Sequence, residues 1–392
     1  MAGALHGLKV IDCTHVLAGA WCSLLLADLG ADVIKIEPLG GELMRAPGSR
    51  FRPFDYVNRN KRAIAIDIAS PAGAETMRNL ADTADVFVEN YRPGALAKSG
   101  LDYETLAARN ARLVYASISG FGQTGPYRER GGLDLVAQAM SGLMSVTGDP
   151  AAERPVACGV PVSDLNAGTF AALGVLAALN HRNATGEGQY VETSLLETAF
   201  AFTIWETGTY LATGAIAQKS GSRHRLTSPY EAYRTGDGFM VVGVNNQSLW
   251  KRFCEALGEP ALADEPDFAE PRSRLKNRDA LQARLEAILA VDVTANWVAK
   301  ITARGVPCGP INNISEALAD PQVISRGVLA EVEGRPFARA PLNLSRTPVG
   351  LARGVAAVGE HTHEVLVEAG IDAVAVDRLA ADGVIRGVEV AS

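Results

Sequence analysis

The first 120 residues alternate between short apolar segments and segments with the hydrophobic spacing of a helix. This alternation predicts βαβ units and a largely parallel sheet, because parallel strands need a crossover helix between them. Gly30 closes the first predicted helix, and Pro71 lies in the first turn of the second. The predicted strands are 8–12, 31–37, 63–68, 84–90 and 112–120, and the predicted helices are 19–30 and 71–83.

The composition is that of a folded protein, and the net charge disfavours some classes of binding partner. Hydrophobic residues make up 47% of the 392 residues and charged residues 21%, which excludes a disordered chain. A chain of this length is expected to form two or three domains. The formal net charge of −7 argues against nucleic acid or an anionic membrane as the main partner. A local arginine cluster would still suit a small anion.

The sequence predicts a cytoplasmic protein without a metal site. Residues 1–12 lack an apolar signal core, and the most apolar run, 170–179, is about half of a membrane span. The five cysteines are scattered and lack CxxC or zinc-finger spacing, which is typical of free thiols in the cytosol. His361 and His363 share a face only in a strand, and the sequence shows no third ligand beside them.

The remainder of the chain indicates a second, smaller domain. Helices are predicted from about 165 to 181, where small residues dominate, and from about 197 to 211. Near residue 213 the sequence becomes polar, glycine-rich and basic, as in a linker, and 230–244 has the pattern of a hairpin. The predicted domains are a large α/β domain in 1–212, a small α+β domain in 225–320 and a return to the large domain in 330–392.

The segment Gly120–Gly125 suggests a dinucleotide site that its surroundings do not support. Its G-x-G-x-x-G spacing follows a predicted strand, but the polar residues 126–130 stand where a helix should begin. The first strand-to-helix turn, 15–19, lacks the glycine triplet, although Glu37 ends the next strand where a ribose-binding acid often lies. The sequence favours a glycine-rich turn that approaches another group closely.

Asp164 has two interpretations, both based on its place at the start of the small-residue helix. It follows a loop with Gly159 and Pro161, where an aspartate commonly serves as the helix N-cap. The same position would hold an ionised nucleophile at the mouth of a cleft, since the positive end of a helix dipole stabilises an anion. Gly168, one turn later, would let a ligand or another backbone come close.

Two loops concentrate positive charge. Asn90, Tyr91 and Arg92 follow a predicted strand, and Lys98 comes shortly after them. Ligands of open α/β sheets bind at the carboxyl ends of strands, and an arginine beside an aromatic ring suits a phosphorylated adenine nucleotide. A solvated loop explains the same residues. A second basic cluster, which suits either a bound carboxylate or a hydrated linker, consists of Lys219, Arg223, His224 and Arg225.

Phrases spread over residues 7 to about 365 match one protein family in order. They include GLKVIDCTHVLAG, LLADLGADVIKIEP, ADVFVENYRPGALAKSGLDYETL, LVYASISGFGQTGPY and TGEGQYVETSLLETA. In these phrases the chain resembles the class III CoA-transferases, the CaiB/BaiF-type family that includes formyl-CoA:oxalate CoA-transferase and the 2-methylacyl-CoA racemases. The resemblance implies a Rossmann-like large domain with a smaller inserted α+β domain, and two chains that interlock as a homodimer.

The resemblance implies an enzyme that moves coenzyme A between an acyl-CoA and a free carboxylic acid. In the transferases an aspartate in a GDxxxG-like context attacks the thioester, and Asp164 in PVSDLNAG fits that role. The implied intermediates are an aspartyl–acyl anhydride and an aspartyl-CoA thioester, which keep the acyl group activated. Coenzyme A and acyl-CoA are then substrates, and no permanently bound cofactor is expected.

The resemblance also assigns binding residues. The formyl-CoA enzyme has Gln where this chain has Leu17 and Tyr where it has Leu133, so oxalate is disfavoured and a larger or more apolar acyl group is expected. Arg52, Arg223 or His224 would hold a second carboxylate, as for succinate or a C5 dicarboxylate. The positions that match coenzyme A-binding residues of the family are His15, Val16, Ala18, Ile68, Ala69, Asn90, Tyr91, Arg92 and Lys98.

Two alternatives stay open at this point. The racemases of the family carry a His in a GHD phrase that works with the equivalent Asp, whereas this chain has Gly132-Leu133-Asp134. Leucine cannot carry a proton, so a racemase would lack one of its bases. The other alternative is a catalytically silent acyl-CoA-binding protein, against which the presence of Asp164 argues.

Overall fold

The computed structural model describes residues 2–46, 48 and 52–387. The chain divides into two compact units. The larger unit comprises Met1–Met144, Ala157–Ala215 and Gly327–Ser392, and the smaller comprises Ser145–Val156 and Ile216–Arg326. Residues 145–156, which the sequence analysis placed in the large domain, thus cluster with the smaller unit. How the predicted domains are organised stays a prediction.

The strands confirm the predicted mixed α/β architecture. In chain order they are β1 (Lys9–Cys13), β2 (Asp32–Glu37), β3 (Lys61–Ile66), β4 (Val86–Glu89), β5 (Val114–Ser119), β6 (Tyr190–Ser194), β7 (Tyr230–Arg234), β8 (Phe239–Gly243), β9 (Cys308–Pro310), β10 (Leu329–Val332), β11 (Arg335–Ala338) and β12 (Ile385–Arg386). The larger unit contains a seven-stranded sheet in the order β12-β3-β2-β1-β4-β5-β6. Its strands are parallel except β12, which pairs antiparallel with β3 at one edge.

Helices connect the strands, and helices of the larger unit pack on both faces of the seven-stranded sheet. In chain order they are α1 (Ala18–Asp28), α2 (Pro53–Asn58), α3 (Pro71–Asp82), α4 (Tyr103–Arg109), α5 (Asp134–Met140), α6 (Leu143–Val146), α7 (Val162–Thr185), α8 (Leu195–Ala201), α9 (Ile204–Thr213), α10 (Gln247–Ala256), α11 (Pro271–Lys276), α12 (Arg278–Leu289), α13 (Thr294–Ala303), α14 (Ile314–Ala319), α15 (Pro321–Ser325), α16 (Thr362–Glu368) and α17 (Ala373–Ala381).

Alternating side chains of the strands fill two apolar cores, one on each face of the sheet. Val10 and Val86 belong to the core that contains apolar residues of α1 and α7. The neighbouring residues Ile11 and Phe87 belong to the opposite core, which contains residues of α3, α4 and α16. Successive strand residues point to opposite faces, so a strand buried on both sides reads as a continuous apolar run. That is the pattern from which the strands were predicted.

The helices after residue 160 differ from their predicted bounds. The small-residue helix α7 begins and ends beyond the predicted range of 165 to 181. The helix predicted from 197 to 211 is two helices, α8 and α9. They separate because the amides of Phe202 and Thr203 bond to carbonyls three residues earlier, which closes α8 with a tight turn.

In the described part of the chain, α7 is the helix that is long and apolar enough, by length and composition, to cross a membrane. Such a property is weak evidence for a span, because the core helix of a globular protein passes the same test. Here α7 packs against α1, α8 and β5.

The smaller unit has its own sheet and core. β7, β8 and β9 form an antiparallel sheet, and the β7–β8 hairpin turns at 235–238, which confirms the predicted hairpin. Trp250 and Phe253 of α10 pack in one apolar cluster with Leu281 and Leu285 of α12 and Trp297 of α13. A cluster of this kind is the core of an independent compact unit.

Candidate active site

The strand order reverses between β1 and β4, and the candidate site lies there. Connections from β1 run outward through β2 and β3, whereas those from β4 run the other way through β5 and β6. Ligands of open α/β sheets bind beyond the carboxyl ends of the strands at such a switch point. His15 follows β1 and Asn90 follows β4. The His15 amide donates to Asn90 Oδ1 at 2.7 Å, and Asn90 Nδ2 donates to the His15 carbonyl at 2.8 Å.

A cavity of about 410 Å³ opens at this switch point. Its walls bring together most of the residues that the sequence analysis singled out from distant segments: His15, Val16, Leu17, Ala18, Asn90, Tyr91, Arg92, Leu133 and Asp164. The predicted nucleophile and the predicted coenzyme A-binding turns therefore line one cavity within the larger unit. Their roles stay predictions.

The turn that joins β1 to α1 has an unusual backbone. Val16 has φ of 63°, in the left-handed region that β-branched residues rarely adopt. The ring of His15 packs edge-on against Tyr91 with centroids 4.7 Å apart, and its Nε2 lies 2.6 Å from the Tyr91 hydroxyl. Burial, helped by the charge of Lys35, lowers the pKa of His15, so the imidazole is neutral at physiological pH.

Asp164 lies in the first turn of α7 and not at its N-cap. The N-cap position belongs to Pro161, which makes no side-chain cap bond, so the N-cap interpretation of Asp164 is wrong. Burial, and to a smaller extent the charge of Asp134, raises the pKa of Asp164 to about 6. The helix dipole was expected to favour the anion of Asp164, but loss of hydration and the neighbouring carboxylate outweigh that effect.

Asp134 is a site residue that the sequence analysis quoted but gave no role. It begins α5, and its Oδ1 accepts the Ser163 amide of α7 at 2.7 Å. Its Oδ2 accepts Gln138 Nε2 at 2.7 Å, and Gln138 Oε1 accepts the Cys158 amide at 2.9 Å. These bonds join the beginnings of α5 and α7. The spacing of 30 residues between the two aspartates carries no signal of their proximity.

Two glycines permit the close packing that forms the cavity wall. A Cβ at Gly120 would lie 2.5 Å from the Cα of Gly132, so the glycine-rich segment and the loop before α5 touch through their backbones. A Cβ at Gly168 would lie 2.3 Å from the Ala18 carbonyl oxygen. The interpretation of Gly120–Gly125 as a turn for close approach is confirmed, and Gly168 admits another backbone, that of α1.

A second cavity, of about 330 Å³, lies beyond the carboxyl ends of β2 and β3. Ile68 and Ala69 line it, together with Pro38 and Leu39. Tyr91 lines both cavities. The two predicted backbone contacts of coenzyme A, Ile68 and Ala69, are thus next to the first cavity through a shared tyrosine. The lining is mostly apolar, which suits a flat heteroaromatic ring.

Four predicted residues lie elsewhere. Lys98 is exposed in the 3₁₀ turn Leu96–Ser99, and Arg52 forms an ion pair with Asp55 at 2.8 Å. Arg223 and His224 belong to the smaller unit. The Arg223 guanidinium contacts Glu231 at 2.9 Å and Asp279 at 2.8 Å, and the His224 ring stacks on Tyr230 with centroids 4.9 Å apart. Arg52 and Arg223 therefore already have carboxylate partners within the chain.

Two arginines of the cavity have no carboxylate partner in the part of the chain that the structure describes. Arg92 and Arg130 line it, and within the described residues no carboxylate forms an ion pair with either. The Arg130 guanidinium lies 3.8 Å from the centroid of the Tyr127 ring. Arg130 lies in the polar segment 126–130, for which no role was predicted from the sequence. Within the described ranges, no group of three or more potential metal ligands occurs.

Comparison with known proteins decides the family. The profile of CoA-transferase family III matches residues 5–362. The chain belongs to this family. The predicted CaiB/BaiF-type class III CoA-transferase is confirmed, and with it the expectation of an enzyme that uses CoA thioesters as substrates.

This CoA-transferase aligns with named CoA-transferases over most of the length of both chains. It is 39% identical over 386 residues to the succinate–glutarate CoA-transferase of Agrobacterium fabrum, covering 93% of this chain and 95% of that protein. It is 37% identical over 394 residues to the succinyl-CoA:glutarate CoA-transferase of Mus musculus, covering 97% and 90%. A crystal structure of a CAIB/BAIF family protein from Brucella suis matches with a TM-score of 0.87 and 35% identity, covering 94% of this chain and 100% of that chain.

Proposed function

We propose that this enzyme transfers coenzyme A between dicarboxylic acids, with Asp164 as the nucleophile and with succinate or a C5 dicarboxylate among its acids. One observation carries the proposal: Asp164 lines the same cavity as the turn His15–Ala18 and the segment Asn90–Arg92. The fold thus brings the proposed nucleophile into one cavity with residues from separate parts of the sequence. Those residues match the positions that bind coenzyme A in the family. Relatives named for succinate and glutarate support the choice of acids.

The exchange runs through two covalent intermediates. The Asp164 carboxylate attacks the thioester carbonyl, the C–S bond breaks, and an aspartyl–acyl anhydride forms with release of the CoA thiolate. The thiolate attacks the aspartyl carbonyl of the anhydride, which frees the donor acid and leaves an aspartyl-CoA thioester. The acceptor carboxylate then reverses both steps. Each step exchanges one anion for another, so no net proton transfer is required.

The environment of Asp164 suits this role. A pKa of about 6 leaves the carboxylate mostly ionised at neutral pH, as a nucleophile must be. The same burial and the neighbouring Asp134 deprive the anion of hydration and of a counter-charge, which raises its energy before the attack. The negative charge then moves onto the sulfur of the leaving group, out of this unfavourable position.

The positive charge in the cavity suits a dicarboxylate or a phosphate. Among the described residues, Arg92 and Arg130 line the cavity without a carboxylate partner, whereas Arg52 and Arg223 are paired. An arginine can bind either group with two parallel hydrogen bonds. Leu17 and Leu133 line the same cavity and would contact the methylene chain of a C4 or C5 acid.

A mass-spectrometric exchange assay tests the proposal. The enzyme is mixed with succinyl-CoA or acetyl-CoA and a panel of free acids: glutarate, oxalate, acetate and a longer monocarboxylate. Asp164→Ala is assayed in parallel, and Asp377→Ala, an exposed carboxylate, serves as the matched control. We expect glutaryl-CoA from succinyl-CoA with the wild type and the control, and no product with Asp164→Ala.

Other outcomes point to the alternatives. Deuterium wash-in at the α carbon of a 2-methylacyl-CoA, without exchange of acids, would move the protein to the racemase branch and show that Leu133 does not exclude proton transfer. Tight acyl-CoA binding without either reaction would favour the catalytically silent protein. Exchange that survives in Asp164→Ala would remove the nucleophile from the proposal.

We also propose that two copies form a homodimer. In and beside α9, large apolar side chains are exposed: Ile204 and Trp205 at 70% each and Leu211 at 78%. Monomeric proteins seldom expose so many large apolar groups together, and a partner surface would bury them. Sedimentation equilibrium should give a molar mass twice that of the chain. The double variant Trp205→Asp with Leu211→Asp should shift this mass toward that of a single chain. A cytoplasmic location stays a prediction.

A further inference from the structure

The turn that carries the left-handed Val16 needs something to hold it. A β-branched residue at a φ of 63° is a genuine outlier, and such conformations persist where the surrounding structure determines them. The Val16 side chain is 51% exposed and lines the cavity, so the conformation occurs at the site and not in a remote loop. Glycine would adopt this φ at no steric cost, yet the chain has valine.

A buried carboxylate holds the amide of this residue. Val16 N–H donates to Glu42 Oε1 at 2.8 Å, and the Glu42 residue is 6% exposed. On the other side of the turn, Asn90 bonds to both the amide and the carbonyl of His15. Glu42 is positioned in turn by its own amide, which donates to Glu37 Oε2 at 3.0 Å. Two side chains from separate segments thus clamp consecutive peptide groups.

A buried lysine supplies the counter-charge. Lys35 Nζ lies 3.2 Å from Glu42 Oε2, and its side chain is 1% exposed. The same ammonium donates a short hydrogen bond to the Thr14 carbonyl, two residues before Val16. Lys35 therefore connects the carboxylate that holds the turn to Thr14, the residue that follows β1. Charge-assisted bonds of this kind are stronger than neutral ones, and burial strengthens them further.

We propose that Glu42 is a positioning residue that keeps the Val16 turn in its left-handed conformation and thereby shapes the coenzyme A-binding wall of the cavity. The role of that wall rests on the function proposed above. Glu42 does not line the cavity itself, and it acts through the Val16 amide. With Glu42 in place, valine presents its side chain to the cavity while its backbone keeps a conformation that favours glycine.

The test is a double-mutant cycle read out by binding. Glu42→Gln keeps the shape but removes the charge that Lys35 needs. We expect the Kd of free coenzyme A, measured by titration calorimetry, to rise about tenfold, since a bond to a charged group is lost. The KM for acyl-CoA should rise with it, and kcat should change less. Val16→Gly removes the strain, so Glu42→Gln should change the Kd by less than about twofold in that background.

Asp28→Asn is the matched control. Asp28 is another buried carboxylate of the larger unit, paired with Arg59 at 2.7 Å at the far end of α1. Its loss should lower thermal stability while leaving the Kd of coenzyme A unchanged. If Glu42→Gln behaves like Asp28→Asn, or if its effect on the Kd is the same with Val16 and with Gly at position 16, the proposal is wrong.

Two further outcomes are decisive. If Glu42→Gln does not fold, the double variant with Val16→Gly should fold and bind coenzyme A, and failure of the double variant contradicts the proposal. If the wild type binds coenzyme A but exchanges no acids, the proposed function fails while the binding cycle still tests Glu42.

Discussion

Two groups of charges in the larger unit, one buried and one half-buried, differ in how their charges are balanced. The first, here named the lysine cluster, consists of Asp12, Lys35, Glu42 and Lys61 beneath the Val16 turn. Asp12 lies 2.9 Å from the Lys61 ammonium and 3.7 Å from that of Lys35. The second, here named the carboxylate pair, consists of Asp134 and Asp164 at the beginnings of α5 and α7. It brings two like charges together.

The pKa values record this difference. Burial alone would raise the pKa of Asp12, but Lys35 and Lys61 hold it well below the usual range. Burial lowers the pKa of Lys61 to about 8, although Asp12 opposes the shift. In the carboxylate pair, burial and Asp134 act in the same direction and raise the pKa of Asp164 to about 6. Balanced charges stabilise the folded backbone around them, whereas a carboxylate without a counter-charge lowers stability, which fits the catalytic role proposed for Asp164.

The largest expected effect is on catalysis through the carboxylate pair. Asp164→Asn removes the proposed nucleophile while keeping the size of the side chain, so kcat for acid exchange should fall at least about 1,000-fold. Coenzyme A should still bind. Time-point exchange assays measure kcat, and titration calorimetry measures the Kd of coenzyme A. Asp377→Asn is the control for both. A loss below about tenfold would show that another group attacks the thioester.

The next largest effect is on folding through the lysine cluster. Asp12→Asn leaves two buried ammonium groups with one acceptor fewer and no carboxylate between them. Breaking a buried ion pair by removing one partner costs about 3–5 kcal/mol, and we expect a loss of that size in the free energy of unfolding. Urea denaturation measures it. A loss below about 1 kcal/mol would mean that the cluster is not a balanced set of charges.

An Asp→Asn substitution in the carboxylate pair should raise the free energy of unfolding, whereas the one in the lysine cluster lowers it. The folded-state pKa of Asp164, about 6, lies above the usual value of 3.8, so the charged form opposes folding. Asp164→Asn should therefore stabilise the enzyme by about 1–2 kcal/mol at pH 8, after allowance for solvent screening. The gain should shrink as the pH falls through 6 and vanish below about 4. A destabilised variant at pH 8 would contradict the comparison.

The smallest effect concerns the pH dependence of the rate. The proposed attack requires the ionised form of Asp164, so kcat/KM should rise with pH through an apparent pKa near 6. Asp134→Asn removes the neighbouring charge and should move this limb toward lower pH, while burial keeps it above the usual aspartate value. Glu187→Gln, away from the cavity, serves as the control. An unmoved limb in Asp134→Asn would assign the ionisation to another group.

Much of the fold was predictable because it depends on local patterns. The strands of the parallel sheet lie within two residues of their predicted bounds, since each is an apolar run that ends in a turn. The break within the helix predicted from 197 to 211 was missed, because no glycine or proline marks the tight turn at Phe202 and Thr203. Asp164 was singled out by its position at the start of the small-residue helix, and the resemblance implied its role as nucleophile. Its interpretation as an N-cap is wrong, because the N-cap is Pro161, three residues earlier.

The sequence by itself determined the order of strands and helices, the family and the residue proposed as nucleophile, because these follow from periodicity and from motifs a few residues long. Tertiary structure decided which charges meet. Glu42 reaches Val16 across 26 residues, and Asp134 reaches Ser163 across 29. Charge interactions depend on distance in space and on burial, which a linear sequence does not specify. The lysine cluster and the carboxylate pair therefore form when the strands assemble into the sheet and α7 packs onto α1.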